Sequence, residues 1–189
     1  MEETTGELWI VRHGETAWSR DGRHTSVTDV PLTAEGERAA RGLAPRLAGT
    51  VFDRVLTSPR IRAQRTADLA GFPDAEVDED LVEWDYGDYE GLTTPQIRVG
   101  SPGWTIWGGS CPGGESAEQV ALRLDRVVAT LRDRPGRTLV FGHGHALRAL
   151  AGRWLGLPVA EGRLFRLDTA TLSVLGYERE TAAMLRWNG

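Results

Sequence analysis

The sequence predicts an α/β fold, a three-layer α/β/α sandwich with a largely parallel central sheet. Short apolar runs alternate with helical patterns along most of the 189 residues. The runs at residues 8–11 and 139–141 are apolar at every position, as is typical of parallel strands buried between two layers of helices. Each run is followed within two residues by a histidine next to a glycine, and open α/β sheets bind ligands at such strand ends.

The first half of the chain is predicted to contain three strands and two helices. Thr33 precedes an alanine-rich stretch and Gly49 follows it, which suits the two ends of one helix. Ser58 and Pro59 suit the cap and the first position of the second helix. The expected elements are strand 8–12, helix 33–47, strand 51–56, helix 59–70 and strand 76–77.

The second half is predicted to be irregular at first and regular afterwards. Residues 83–115 are rich in glycine, proline and tryptophan and follow no regular period, so we expect loop structure there. Ser116 and Gln119 have the spacing of a capping box, and the apolar residues from Val120 to Leu131 recur on one helical face. The further expected elements are strand 138–141, helix 145–155 and closing strands at 164–167, 172–177 and 182–187.

Composition narrows the classes of function. The formal net charge of −5 argues against binding to nucleic acid or to an anionic membrane, because both need a basic surface. All 22 basic residues are arginine, which excludes lysine nucleophiles and Schiff-base chemistry. Cys111 is the only cysteine, which excludes an intrachain disulfide and a thiolate zinc site.

The chain is predicted to be a single domain, residues 1–189, with a cytoplasmic location. Its length suits one domain with a substantial core. Residues 1–7 are acidic and polar and lack the basic and apolar regions of a signal peptide. No apolar run approaches the roughly 20 residues that cross a bilayer.

Arg12 and His13 are the first candidate catalytic residues. Both follow the first predicted strand. A neutral imidazole nitrogen can attack phosphorus at neutral pH, and a guanidinium group offers a permanent charge and a fork of donors to phosphate oxygens. The helix after residue 58 offers a second arginine, which is Arg60, Arg62 or Arg65.

His143 and Glu83 complete the set of candidate catalytic residues. His143 follows strand 138–141, where a protonated imidazole would neutralise charge that develops on a phosphoryl group. Gly142 and Gly144 permit close backbone approach, and the start of the following helix favours an anion. Glu83 lies among aromatic residues, where a partly desolvated carboxyl suits protonation of a leaving alcohol.

Four segments resemble motifs of the histidine phosphatase superfamily, also called the phosphoglycerate mutase-like family. They are IVRHGETAWSRDGRHTSVTDVPLTAEGERA, SPRIRAQRTA, EWDYGDYEGL and VFGHGHALRAL, which follow the family's order over nearly the whole chain. The resemblance implies a phosphoglycerate mutase-like fold, a phosphohistidine intermediate on His13, a proton donor at Glu83, and no metal or other cofactor. It also selects Arg62 as the second arginine, so that Arg12, Arg62 and His143 would form the phosphate pocket.

Departures from the mutase pattern favour the phosphatase branch of the family. Mutases usually have asparagine where this chain has Ser19, and arginine where it has Trp84. A mutase must protect a bisphosphorylated intermediate from hydrolysis, which favours extra cations at the rim of the pocket. In this chain Trp84 and Asp85 would occupy the positions of those cations. The resemblance therefore implies a phosphomonoesterase of the acid phosphatase or sugar-phosphate phosphatase type.

Further residues are candidate contacts for a small phosphorylated substrate. Thr25 lies in the loop at residues 22–25 and offers a hydroxyl or backbone contact, while Gly144 permits close approach of the backbone. The other candidate contacts are Ser19 and His24, and those for selectivity are Arg23, Arg98, Trp104 and Trp107. We expect His145 to have a hydrogen-bonding role behind the first layer of contacts. The tryptophan-rich loop is a candidate lid or homodimer surface.

Three alternatives to a phosphatase stay open. A cofactor-dependent phosphoglycerate mutase would use the same pocket and transfer phosphate to a second hydroxyl. A metal-dependent hydrolase would use His143 and His145, although no matching carboxylate cluster accompanies them. A non-catalytic protein that binds phosphorylated ligands would not require the acid at Glu83.

Overall fold

Six strands form one mixed sheet in the computed structural model, which describes residues 6–134 and 136–189. The strands are β1 (Glu7–Arg12), β2 (Arg54–Thr57), β3 (Glu76–Val77), β4 (Arg137–Gly142), β5 (Leu172–Glu178) and β6 (Thr181–Arg186). Their order across the sheet is β3-β2-β4-β1-β5-β6. The first four in this order are parallel, and β5 and β6 each run antiparallel to the preceding strand. The predicted largely parallel sheet is confirmed.

Seven α-helices accompany the sheet in the described residues. They are α1 (Ala17–Arg20), α2 (Ala34–Arg41), α3 (Ala44–Leu47), α4 (Ile61–Leu69), α5 (Thr94–Gly100), α6 (Ala117–Asp133) and α7 (Gly144–Trp154). Each helix of this part of the chain is too short or too polar to cross a membrane.

Two apolar clusters cover the two faces of the sheet. Along β4, Val140 belongs to one cluster together with Leu124 of α6. Its neighbours Leu139 and Phe141 belong to the other cluster together with Leu43, which lies between α2 and α3. Because successive side chains of a strand point to opposite faces, both faces of β4 are buried under helices, and the architecture is the predicted α/β/α sandwich.

The single helix expected at residues 33–47 is two helices, so that prediction was wrong. Thr33 does cap the first of them, α2, by accepting the backbone N–H of Gly36 at 3.0 Å. The break follows from Pro45, which lacks the N–H that a continuous helix would direct to the carbonyl of Arg41. The chain therefore turns after Arg41 and starts again as the short helix α3.

Other element boundaries also differ from the predictions. The second strand starts at Arg54, three residues later than expected. Helix α4 begins at Ile61, and its cap position is Arg60, whose backbone N–H donates to the Ser58 hydroxyl at 3.3 Å. Residues 83–115 contain the short helix α5, whose capping box of Thr93 and Gln96 escaped the sequence analysis.

The strand expected at residues 164–167 does not form. A 3₁₀ helix occupies Val159–Leu164, and the carbonyl of Leu167 accepts a hydrogen bond from Nη1 of Arg12 at 2.6 Å. The position next to β1 in the sheet is occupied by β5, in which Leu172 pairs with Val11. The remaining expected helices and strands are present within a few residues of their predicted bounds.

The sheet brings the two predicted histidine segments together. Strands β1 and β4 are parallel neighbours, and Arg12 pairs with Gly142 in the register. The backbone N–H of His13 then donates to the carbonyl of Gly142 at 2.9 Å. Residues separated by about 130 positions in the chain therefore leave the same edge of the sheet side by side.

Candidate active site

A cavity of about 160 Å³ lies where β1 and β4 end. Most of the predicted site residues line it. The lining residues are Arg12, His13, Ser19, Gly22, Arg23, His24, Thr25, Glu83, Tyr86, Gly144, His145, Arg148 and Leu167. Arg62 and His143 are fully buried and lie behind this lining.

His13 presents one ring nitrogen to the cavity. Its Nδ1 lies 2.7 Å from the carbonyl oxygen of Gly14, and because a carbonyl can only accept, Nδ1 carries the hydrogen. Burial, reinforced by the charges of Arg12 and Arg62, holds the pKa of His13 well below 6.5. The ring is therefore neutral, and Nε2 holds the free electron pair that a nucleophile needs.

His143 stands next to His13 and is oriented by Ser58. The two imidazole rings are 5.3 Å apart between centroids, and Nε2 of His143 lies 2.7 Å from the Ser58 hydroxyl. Burial and the charge of Arg62 hold the pKa of His143 well below 6.5. Because burial disfavours the charged form, this environment does not favour the protonated imidazole that the sequence analysis expects for His143.

Arg12 and Arg62 bring two positive charges to the histidine pair. Arg62 is fully buried, and it holds the loop at residues 25–28 by donating to the carbonyls of Ser26 and Thr28 at 3.0 Å each. Nε of Arg12, Nε of Arg62 and Nδ1 of His143 are buried without a partner among the described residues. Buried polar atoms rarely stay unpaired, so this set suits an anionic ligand with several acceptor oxygens.

The choice of Arg62 over its neighbours agrees with these positions. Arg65 is exposed on α4 and pairs with Glu37 and Asp68. Arg60 is the cap residue of the same helix. Only Arg62 of the three is fully buried.

Glu83 is a buried carboxyl at the start of α7. Its Oε1 accepts the backbone N–H groups of Trp84 at 2.9 Å and Ala146 at 2.7 Å, and its Oε2 accepts that of His145 at 3.0 Å. A carboxylate oxygen has two acceptor positions, so Oε1 is fully used by two backbone N–H groups, while Oε2 accepts one.

The predicted substrate contacts all line the cavity, but some of their polar atoms are engaged. The Ser19 hydroxyl belongs to the capping box that opens α1, opposite Thr16. The Thr25 hydroxyl donates to the carbonyl of Arg23 at 3.2 Å. Gly144 packs against Arg12, where an added Cβ would lie 3.3 Å from Nε; a larger residue would push the guanidinium aside.

Histidines 24 and 145 form an aromatic wall together with Tyr86. Nδ1 of His145 lies 2.6 Å from the Tyr86 hydroxyl, and the His24 ring is 4.7 Å from the Tyr86 ring. Burial lowers the pKa of His24 to about 4. His145, expected behind the first layer of contacts, instead lines the cavity itself.

Sequence reasoning missed Tyr86 and Arg148 as lining residues. Arg148 follows His145 by three positions, and residues at this spacing share a helix face. That spacing was the available signal for Arg148. Tyr86 lies in an irregular segment, where no periodicity predicts the direction of a side chain.

The candidate residues for selectivity separate into two groups. Trp107 packs its ring against His145 at 5.3 Å between centroids, and Arg23 lines the cavity. Trp104 is 6% exposed and belongs to the core. Arg98 donates to the carbonyl of Trp104 at 2.8 Å and is not a lining residue.

The expectation that Trp84 and Asp85 replace cations at the rim is wrong. Trp84 is 1% exposed and donates its ring N–H to the carbonyl of Glu115. Arg23 and Arg148 line the cavity instead. Among the residues that the structure describes, no group of three or more His, Cys, Asp or Glu side chains is placed to hold a metal ion.

Comparisons with known proteins identify the family of this chain. A family model of the histidine phosphatase superfamily (branch 1) matches residues 8–189. The chain is 49% identical over 176 residues to an acid phosphatase of Mycobacterium tuberculosis, which covers 90% of this chain and 86% of that protein. It is 38% identical over 196 residues to the sedoheptulose 1,7-bisphosphatase of Saccharomyces cerevisiae, with 84% and 71% covered.

The fold is also similar to that of solved structures. A protein encoded by an open reading frame of Mycobacterium tuberculosis superimposes with a TM-score of 0.92 at 45% identity. The superposition covers 97% of each chain.

Proposed function

Because this chain belongs to the histidine phosphatase superfamily (branch 1) and is a hydrolase of phosphate monoesters, we propose that it acts through a phosphohistidine on His13. The observation that carries this mechanism is the hydrogen bond from Nδ1 of His13 to the carbonyl of Gly14. It fixes the tautomer that leaves Nε2 free. The proposal assigns each step to residues around that nitrogen.

In the first step, Nε2 of His13 attacks the phosphorus of the bound ester. The N–P bond forms while the P–O bond to the alcohol breaks, and the electron pair of that bond stays on the leaving oxygen. Arg12 and Arg62 offer their unpartnered donors to the phosphoryl oxygens, and His143 offers its Nδ1. Preorganised donors of this kind stabilise the charge that spreads over those oxygens in the transition state.

Glu83 handles the proton in both steps. Glu83 starts the reaction as the neutral carboxylic acid, and the proton on its Oε2 passes to the leaving alcohol oxygen, which leaves the carboxylate. Water then attacks the phosphorus, Glu83 takes the proton of that water, and the P–N bond breaks. Phosphate leaves, and His13 and Glu83 return to their starting protonation states.

The substrate proposed for this site is a small phosphate ester, of the kind hydrolysed by acid phosphatases or sugar-phosphate phosphatases. Support comes from the acid phosphatase and the sedoheptulose 1,7-bisphosphatase among its relatives. The cavity of about 160 Å³ suits a small molecule. The single domain of residues 1–189, the cytoplasmic location and the homodimer stay predictions.

The test is phosphate release from a panel of esters, with a metal chelator present. The panel contains p-nitrophenyl phosphate, phosphoglycerates, sugar monophosphates, sugar bisphosphates and nucleotides. We expect release that resists the chelator and falls at least about a thousandfold in His13→Ala, as is common when a nucleophile is removed. Phosphoglycerate interconversion without phosphate release would identify a mutase, and no reaction in either assay would favour a binding protein.

A further inference from the structure

Glu90 has no part in the mechanism above and does not line the cavity. Backbone hydrogen bonds place it beside the loop at residues 25–28. The N–H of Gly91 donates to the carbonyl of His24 at 2.8 Å, and the N–H of His24 donates to the carbonyl of Leu92 at 2.9 Å. The segment that contains Glu90 therefore runs alongside the start of this loop.

The half-buried carboxylate of Glu90 binds N–H groups of the loop. The backbone N–H of Ser26 donates to Oε1 and Oε2 at 2.9 Å each, and that of Thr28 donates to Oε1 at 3.1 Å. A hydrogen bond to an ionised acceptor is stronger than one between neutral groups. Glu90 therefore places a negative charge directly against the N–H groups of the loop.

Arg62 binds carbonyl groups of the same loop. Its Nη2 donates to the carbonyls of Thr25 at 3.2 Å and Ser26 at 3.0 Å, and its Nη1 donates to that of Thr28 at 3.0 Å. Burial lowers the pKa of Arg62, because desolvation disfavours the charged form. The charge of this guanidinium is therefore stabilised by the dipoles of the loop.

One peptide group joins the two charged side chains. The carbonyl of Thr25 and the N–H of Ser26 belong to the same planar peptide group. In a trans peptide these two groups point in opposite directions, so Arg62 and Glu90 bind opposite sides of it. Hydrogen bonds in such a chain polarise one another in a low-dielectric interior. The charge of Glu90 therefore strengthens the hydrogen bond that Arg62 donates.

We propose that Glu90 is a positioning residue, which fixes the Arg62 guanidinium in the phosphate pocket through the Thr25–Ser26 peptide group. The orientation matters because Nε of Arg62 is buried without a partner among the described residues and suits a phosphoryl oxygen. A neutral acceptor at residue 90 would satisfy the N–H groups of the loop but would polarise the peptide less. The inference rests on the proposed function, since it concerns the arginine assigned there to the phosphoryl group.

Glu90→Gln removes the charge with little change in shape, because the amide oxygen still accepts N–H groups. We expect kcat/KM for p-nitrophenyl phosphate to fall about tenfold, and the inhibition constant of inorganic phosphate to rise about tenfold, as is typical for loss of a hydrogen bond to a charged group. Loss of a negative charge by itself would lower that inhibition constant, because the pocket would become more positive. The direction of the change therefore separates positioning from long-range electrostatics.

A double-mutant cycle tests whether Glu90 acts through Arg62. Arg62→Lys keeps the positive charge but loses the fork of donors that reaches the loop carbonyls. In that background Glu90→Gln should change kcat/KM about twofold or less, because no aligned guanidinium is left to disturb. Since Arg62 is assigned to the phosphoryl group and not to the alcohol, the loss in Glu90→Gln should be the same for all leaving groups.

Asp53→Asn is the matched control. Asp53 also accepts a backbone N–H, that of Arg137 at 2.7 Å, but Arg137 begins β4 at the end opposite to the site. Its kcat/KM and its phosphate inhibition constant should equal those of the wild-type protein. Circular dichroism at the assay temperature verifies that each variant is folded.

NMR of the wild-type protein gives a measurement that needs no substitution. Addition of inorganic phosphate should shift the signals of Nε–H of Arg62 and of the backbone N–H of Ser26, because the peptide group links them. The backbone N–H of Arg137, bound to Asp53, should not shift. A shift at Arg62 without a shift at Ser26 would contradict the proposed link.

The outcomes separate failure of this inference from failure of the proposed function. The positioning role is wrong if phosphate binds Glu90→Gln as tightly as the wild-type protein or more tightly, or if the effects of the two substitutions are additive. It is also wrong if the loss depends on the leaving group. Glu90 would then act through Glu83, whose carbonyl accepts the Ser26 hydroxyl at 3.3 Å. If no ester is hydrolysed, the proposed function fails, and phosphate binding measured by NMR still tests the role of Glu90.

Discussion

The carboxylate of Glu83 accepts the backbone N–H of Ala146 at 2.7 Å, in the first turn of α7. The helix needs such a partner, because His143 occupies its cap position without a side-chain cap and the first N–H groups of a helix have no acceptor within it. One carboxylate therefore caps the first turn of α7 and also lines the cavity. Since His143 directly precedes this helix, the same contact fixes Glu83 relative to His143.

Replacement of Glu83 by Gln should slow turnover in a way that depends on the leaving group. The amide cannot supply a proton, so esters of alkyl alcohols should lose about a hundredfold or more in kcat/KM, which reports the first step. The p-nitrophenyl ester should lose much less in kcat/KM, because its leaving group needs no proton. The measurement is kcat/KM for a series of esters with leaving groups of increasing pKa.

Glu115→Gln is the matched control for this variant. Glu115 also accepts a backbone N–H, that of Asp85 at 2.9 Å, and it pairs with Arg123, but it does not line the cavity. Any loss of kcat/KM in Glu115→Gln should not depend on the leaving group. An equal loss for all esters in Glu83→Gln would mean that Glu83 only supports α7.

Removal of the Ser58 hydroxyl should disturb His143. We expect Ser58→Ala to lower kcat about tenfold and to reduce the free energy of unfolding by about 1–2 kcal/mol, because a buried hydrogen bond is lost. In a His143→Gln background the same substitution should change kcat little. A double-mutant cycle measures this coupling, and additive effects would show that Ser58 acts independently of His143.

The residues that the sequence analysis selected lie close together because their motifs are short and local. Arg12, His13 and His143 follow apolar strands directly, so the strand ends determine where they lie. Contacts between segments that are distant in the chain could not be predicted from the sequence. Nothing in the sequence near Ser58 reveals that its hydroxyl lies 2.7 Å from Nε2 of His143, 85 positions away.

Activity should persist at pH values below the usual pKa of histidine. Burial and the charges of Arg12 and Arg62 hold the pKa of His13 well below 6.5. Since only the neutral ring can attack, protonation removes activity only well below that pH. We expect kcat/KM, which reports the free enzyme, to show no loss centred near pH 6.5 once corrected for ionisation of the ester. Half-loss at pH 6.5 would contradict this environment for His13.

The fold was also predictable where patterns are periodic, and less so elsewhere. The apolar positions from Val120 to Leu131 identified α6, and all five of its core positions on that face are buried. The helix broken at Pro45 and the absent strand at residues 164–167 show the limits. In the second case the chain turns to offer the Leu167 carbonyl to Arg12, a tertiary contact that no local propensity encodes.

The most direct test of the mechanism is to find the phosphoryl group on the protein during turnover. With p-nitrophenyl phosphate, whose leaving group needs no proton, Glu83→Gln should accumulate the intermediate, because water is no longer activated efficiently. Rapid quenching under alkaline conditions, which preserve phosphohistidine, followed by peptide mass spectrometry locates the group. The account predicts one phosphoryl group on His13, absent from His13→Ala. A phosphoryl group on another residue, or single-turnover phosphate release with no phosphorylated protein, would contradict it.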